Sequence, residues 1–297
     1  MINSKVSIPA FIDKSNITGD APHVVTMNVT PQIAEHWLKS NLNNRRLSKP
    51  HVLFLTQQMK DGTWSELNGD TIRFDIKGNL LDGQHRLSAV IKSGKTFKFL
   101  VVFGLPAEYF KTMDTGKPRG AADVLGIEGY KYAGIAAATA KFMLRWEKQL
   151  RASAVASSST KTTIIKTTNQ LISDFAKKNK AKLVKHVNTA AHYQSIGDRL
   201  ISPTWTACLL WLFSEKDERE AESFMYRLST GANVDYKSLL FQLRKKLIEA
   251  KASQNKRLTA MAQFAYIIKV WNANRTGKDL KILSYRPASG EAFPTII

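Results

Sequence analysis

Leu80-Leu81-Asp82-Gly83-Gln84-His85-Arg86-Leu87-Ser88-Ala89-Val90 decides how the first half of this chain is read. An apolar strand end runs into Asp-Gly, three polar side chains follow, and an apolar helical pattern then continues to Ser93-Gly94. That order predicts a strand, a turn and a helix, with a carboxylate, an imidazole and a guanidinium gathered at the helix mouth. A helix N-terminus exposes unpaired N–H donors and about half a positive charge, so it favours phosphate. The expected ligand is therefore phosphate, carried by a nucleotide, a nucleic acid or both.

Outward from that turn, the alternation His23–Thr30 predicts a strand, and Thr30-Pro31 opens a short helix through Trp37 and Leu38. Ser48 is placed as an N-cap for a helix with Val52, Leu55 and Met59 on one face and Gly62 as its stop. Asp70–Asp75 and Leu80–Leu81 read as strands joined through Lys77-Gly78-Asn79, and Phe97–Phe103 as a dense strand. Past about residue 120 the strand signals end. Tyr132–Leu150, Asn169–Thr189, Pro203–Phe213, Glu218–Leu228, Tyr236–Ala250 and Leu258–Asn272 read as helices, and the small polar run Ser153–Thr160 as a hinge. The expected class is α+β. A loose arm (residues 1–22) precedes a small mixed domain (23–125), and an all-α basic domain (126–297) follows.

Charge is the outlying bulk property. Forty-four lysines and arginines face 24 aspartates and glutamates across 297 residues, a net of +20 with a pI near 10.0. Residues 151–297 hold 24 of the cations against 11 of the anions, so the helical half is the more cationic. Such an excess suits a polyanionic partner, and DNA is the expected one. Cys208, the single cysteine, lies in an apolar run; it can form neither an internal disulfide nor a cysteine zinc site. Met1-Ile2-Asn3-Ser4-Lys5 leads into no long apolar segment, so no membrane partner is expected and cytoplasm is the default location.

Leu81-Asp82-Gly83-Gln84-His85-Arg86-Leu87-Ser88-Ala89 resembles the Asp-Gly-Gln-His-Arg signature of the ParB/sulfiredoxin-like superfamily, particularly its phage and mobile-element branch. The resemblance spans roughly residues 24 to 125. It takes in Asn44-Arg45-Arg46-Leu47, the helix ending at Met59-Lys60-Asp61-Gly62, and Ile72-Arg73-Phe74-Asp75. Phe110–Arg119 matches the family's later box loosely. Sulfiredoxins use a cysteine where this chain has Gln84, so that chemistry is not expected here. ParB partition proteins bind and hydrolyse CTP and clamp DNA, with Glu-Arg where this chain has Gln84-His85. The resemblance implies a mixed α/β phosphate-binding domain, a nucleoside triphosphate with Mg²⁺ as cofactors, and a host-cell cytoplasmic location if the protein belongs to a phage. Fold alone does not choose among the superfamily's activities.

Individual residues carry paired readings. Gly83 serves either close approach of the backbone to phosphate or a plain turn. Arg86 grips phosphate oxygens or pairs with Asp82 or Asp70. Gln84 belongs to the phosphate set by position in the motif. His85 is a phosphate donor or an acid–base group, against a packed or surface histidine. Asp82 is a helix N-cap, a Mg²⁺ ligand or an activating base. Asp114, Lys117 and Arg119 close the phosphate site from the other side or form a turn, and Arg45 and Arg46 touch phosphate or sit in a solvated loop. Lys177, Lys178, Lys180, Lys182 and Lys185 form one expected DNA-binding cluster, and Arg244, Lys245, Lys246, Lys256 and Arg257 a second. Trp205, Trp211 and Trp271 are expected in the core.

The leading expectation is a DNA-binding protein with a nucleotide-binding domain, in phage or mobile-element DNA processing or maintenance. A metal-dependent nuclease using Asp82, Asp70, Asp75 and Asp114 is the alternative, then a phosphotransferase or a non-catalytic binding module. A homodimer is among the partners considered.

Overall fold

The alternating segment His23–Val29 is strand β1, which turns Val25, Met27 and Val29 inward and Val24, Thr26 and Asn28 to solvent. The computed structural model describes residues 10–12, 22–42, 44, 46–113, 119–149, 167–252, 258–278, 280 and 282–297. Within them the chain divides into two units, Met1–Lys117 and Pro118–Ile297.

In the first unit, α1 (Pro31–Leu38) starts on Thr30, whose hydroxyl accepts from the Ile33 amide, and α2 (Lys49–Lys60) follows. Strands β2 (Thr71–Asp75) and β3 (Leu80–Asp82) form a hairpin, α3 (Gln84–Ser93) comes next, and β4 (Phe97–Leu105) completes a sheet ordered β1-β4-β2-β3. Buried Asp75 closes the hairpin by accepting from the Lys77 and Asn79 amides and from Asn79 Nδ2. β1 and β3 are antiparallel to their neighbours, whereas β2 and β4 run parallel, Ile72 opposite Val101. Trp37, Met59, Ile72, Phe74, Leu87, Val90, Phe99, Val101 and Phe103 make the core. Residues 10–12, read from sequence as part of a loose arm, are anchored on α1. Trp37 Nε1 donates to the Ala10 carbonyl at 2.9 Å, and the Phe11 ring meets His36 edge-on.

The second unit comprises α4 (Ala121–Ile127), α5 (Ala133–Gln149), α6 (Asn169–Lys178), α7 (Lys180–Ile196), α8 (Pro203–Ser214), α9 (Glu218–Thr230), α10 (Leu239–Ala252) and α11 (Ala260–Thr276). No strand occurs among its described residues. Helix α8 is buried along its whole run from Thr206 to Phe213, the expected state of a helix apolar on every side. Cys208 lies within it, fully buried, with its thiol pKa pushed up by that burial. Trp211 and Trp271 are core residues, as their apolar spacing predicts, and the half-buried Trp205 packs on the same core through Phe142 and Phe264.

Further sequence expectations change, and the helix expected from Tyr236 starts at Leu239. The helix expected over Asn169–Thr189 is broken at Asn179, which leaves the helical region and turns its Nδ2 back to the Phe175 carbonyl. Residues 119–125, assigned from sequence to the first domain, lie in the second unit, where α4 packs on α5 and α6. The Ser153–Thr160 hinge lies outside the described residues. No helix among the described residues is long and apolar enough to cross a membrane.

Candidate functional site

Gly83 sets the geometry at the start of α3. Its φ of +109° is in the range that side chains disfavour, and a Cβ there would lie 3.2–3.4 Å from Ile72 on β2. The glycine therefore serves packing of the turn against the sheet. Its amide donates to Asp82 Oδ1 at 2.6 Å, so the first donor at the helix mouth already holds a carboxylate.

Arg86, one helical turn on, donates through Nη2 to Asp82 Oδ2 at 2.8 Å and to the Thr71 carbonyl at 2.6 Å. Asp70 stands 3.8 Å from its Nη1. Its Nε is buried and has no hydrogen-bond partner among the described residues. Arg73, opposite Asp82 in the hairpin register, approaches that carboxylate to 3.9 Å and donates from Nε to Thr71 Oγ1. Two guanidiniums and two carboxylates thus share one corner of the sheet. Asp82 occupies the seat that the sequence assigns to phosphate.

The other side of the turn is made of amides and imidazoles. Gln84 is buried, and its Oε1 accepts from Asn41 Nδ2 at 3.1 Å. Asn44 Nδ2 donates to Asn41 Oδ1 and to the Leu80 carbonyl, both at 2.6 Å, which fastens the loop after α1 to the edge of β3. Gln84 is therefore a structural tie. His85 Nε2 accepts from the Ser48 backbone amide at 3.0 Å, so that nitrogen carries no proton and is engaged at the start of α2. The His51 ring meets it edge-on, centroids 5.1 Å apart. Arg46 is exposed.

Magnesium does not fit the carboxylates as they stand. Both Asp82 oxygens accept hydrogen bonds, two guanidiniums flank it, and Asp75 is taken up by its own hairpin. No cluster of three or more histidine, cysteine, aspartate or glutamate side chains suited to a metal occurs among the described residues. Arg45, Asp114, Lys117, Lys256 and Arg257 lie outside the described residues. Arg119 is exposed, and its carbonyl accepts from Asn169 Nδ2.

The expected DNA-binding clusters separate into tied and open cations. Lys177 pairs with Glu128, whose carboxyl is held low by Ser173 and then by Lys177. Lys182 pairs with Glu215 and sits over the Trp211 ring, while Lys185 bridges Glu218 and Glu222 on α9. Lys180 lies over the Tyr130 ring. Arg244, expected to contact phosphate, is buried instead: it binds Asp198 and the Leu228 carbonyl, cross-linking α10 to the end of α9. Lys246 donates to the Leu283 carbonyl at 2.6 Å. Lys178 and Lys245 are exposed and make no ion pair among the described residues.

Arg73 and His51 were not singled out from the sequence. Strand alternation places Arg73 opposite buried Ile72 and Phe74, but its partner Asp82 emerges only from the hairpin register. Compared with known proteins, the chain matches no family model, no curated protein and no solved structure.

Proposed function

We propose that this protein binds nucleic acid, in the first instance DNA, chiefly through phosphate contacts of low sequence preference. One observation carries the reading. With 24 carboxylate side chains against 44 lysines and arginines, one-to-one pairing still leaves twenty cations over. A surplus of that size is an electrostatic footprint for a polyanion. The ion pairs around α7 and α9 do not reduce it, because pairing removes both signs together.

On this reading the α3 turn is a phosphate-contact site, as the ParB/sulfiredoxin-like resemblance implies. The supporting observation is the unpartnered Nε of Arg86, since a buried donor without an acceptor costs about 1–3 kcal/mol. A phosphate of the nucleic acid or of a nucleoside triphosphate would exchange with Asp82 for the guanidinium. The nuclease alternative gains no support from the geometry, because a two-metal mechanism needs convergent carboxylates not already held by cations.

Fluorescence anisotropy with labelled DNA over a salt series tests the reading. Binding at low salt should weaken linearly on a log–log plot as salt rises. Absence of binding at low salt overturns it. A nucleoside-triphosphate panel read by thermal shift, repeated with Arg86→Ala, tests the phosphate contact separately.

A further inference from the structure

Helix α10 buries Leu240, Leu243, Arg244 and Leu247 and turns a different kind of face outward. Phe241, Lys245, Ile248 and Ala252 are exposed, at spacings of four, three and four residues, which puts them on one stripe of the helix. Phe241 is 41% and Ile248 47% exposed. Just before the helix, Tyr236 is 69% exposed, with the Lys237 ammonium 5.5 Å from its ring centroid. The neighbouring Asp235 carboxylate accepts from the Lys237 amide. Two exposed rings and two lysines therefore lie on α10 and the turn before it; the acidic residues nearest to them in the chain are Asp235 and the half-buried Glu249, one helical turn after Lys245.

We propose that this stripe is where a single-stranded nucleic acid docks, its unpaired bases stacking on Tyr236 and Phe241 and its phosphates meeting Lys237 and Lys245. The inference rests on the nucleic-acid reading above and gives it a place and a strand type. Charge selects the occupant. A second copy of the chain docked face to face would bring the same lysines together, whereas an anionic strand neutralises them. Ring exposure selects the strand type, because every unpaired base offers a π-face and paired bases in a duplex do not. The α6–α7 lysines compete poorly for this role, since Lys177, Lys182 and Lys185 already hold carboxylates.

The test uses the full-length protein and anisotropy at one fixed salt concentration, with a labelled oligodeoxythymidylate and a duplex of equal length as probes. Tyr236→Ala/Phe241→Ala should weaken single-strand binding at least about fivefold, the lower end of what losing one base–aromatic stack costs. Duplex binding should change less. Ile127→Ala, which removes an exposed apolar residue on α4, should leave both unchanged. Unchanged melting temperature of the double variant shows that it folds, and its exposed positions favour that. Wild-type single-strand affinity in the double variant overturns the stripe while leaving nucleic-acid binding intact. Failure of the wild type to bind either probe overturns the underlying function instead. Concentration-dependent dimer mass by light scattering that disappears in the double variant assigns the stripe to a second copy and also overturns the proposal.

Discussion

At Gly83 two constraints coincide, a left-handed backbone and a Cβ position within 3.2–3.4 Å of Ile72, and both act against any side chain. Gly94, the α3 C-cap, shares the left-handed backbone but has open space around its Cβ position. Gly83→Ala should therefore destabilise by about 1–3 kcal/mol and Gly94→Ala by about 1 kcal/mol, read as shifts in the urea midpoint. Equal losses would show that Ile72 gives way without cost. Arg244 offers a second contrast. Arg244→Met should cost about 1–3 kcal/mol because the Leu228 carbonyl loses its donor, while half-exposed Asp198 adds little. Nucleic-acid affinity of the folded variant should be unchanged. The sequence shows Arg244 only as one cation in the run Arg244-Lys245-Lys246; which of the three turns inward depends on the helices packed around α10.

Among the elements, α7 couples stability to pH. His186 is 3% exposed, bonded to Ser214 Oγ, and its pKa is lowered from 6.5 to about 4 by burial first and by Lys182 and Lys185 next. Above pH 6.5 neither the folded nor the unfolded state holds the extra proton, and the contribution is complete. As pH falls from 6.5 towards 4, the unfolded chain takes up a proton that the folded one refuses. Stability is therefore lost across that window, by at most about 3 kcal/mol. His186→Gln should flatten the stability profile between those pH values, measured by urea unfolding at stepped pH. An unchanged acid limb would place the titrating group elsewhere. Helix α3 was legible from Gln84 to Ser93 because apolar spacing, the preceding glycine turn and Gly94 all agree. The break at Asn179 was not, since the lysine-rich sequence around it is as good for one helix as for two.

For the whole molecule, two hydrophobic cores without shared members imply more than one cooperative unit. Calorimetry should resolve two transitions, or give a calorimetric enthalpy above the van't Hoff value. Leu87→Ala, fully buried in the first core, should cost about 2–5 kcal/mol and lower only one of them. A single transition moved as a whole would show that the units unfold together. The net charge of +20 belongs to this scale as well, since it survives every rearrangement of ion pairs.

The sequence alone determined the order of strands and α-helices in the first unit, the turn at Gly83 and the cationic surplus, because each depends on neighbouring residues or on simple counts. Tertiary structure decided which charges are used internally. Arg73 meets Asp82 through the hairpin register, Lys185 meets Glu218 and Glu222 across two helices, and Arg244 is buried against α9. Ion pairs join residues distant in the chain, and a run of like charges carries no record of which member faces inward.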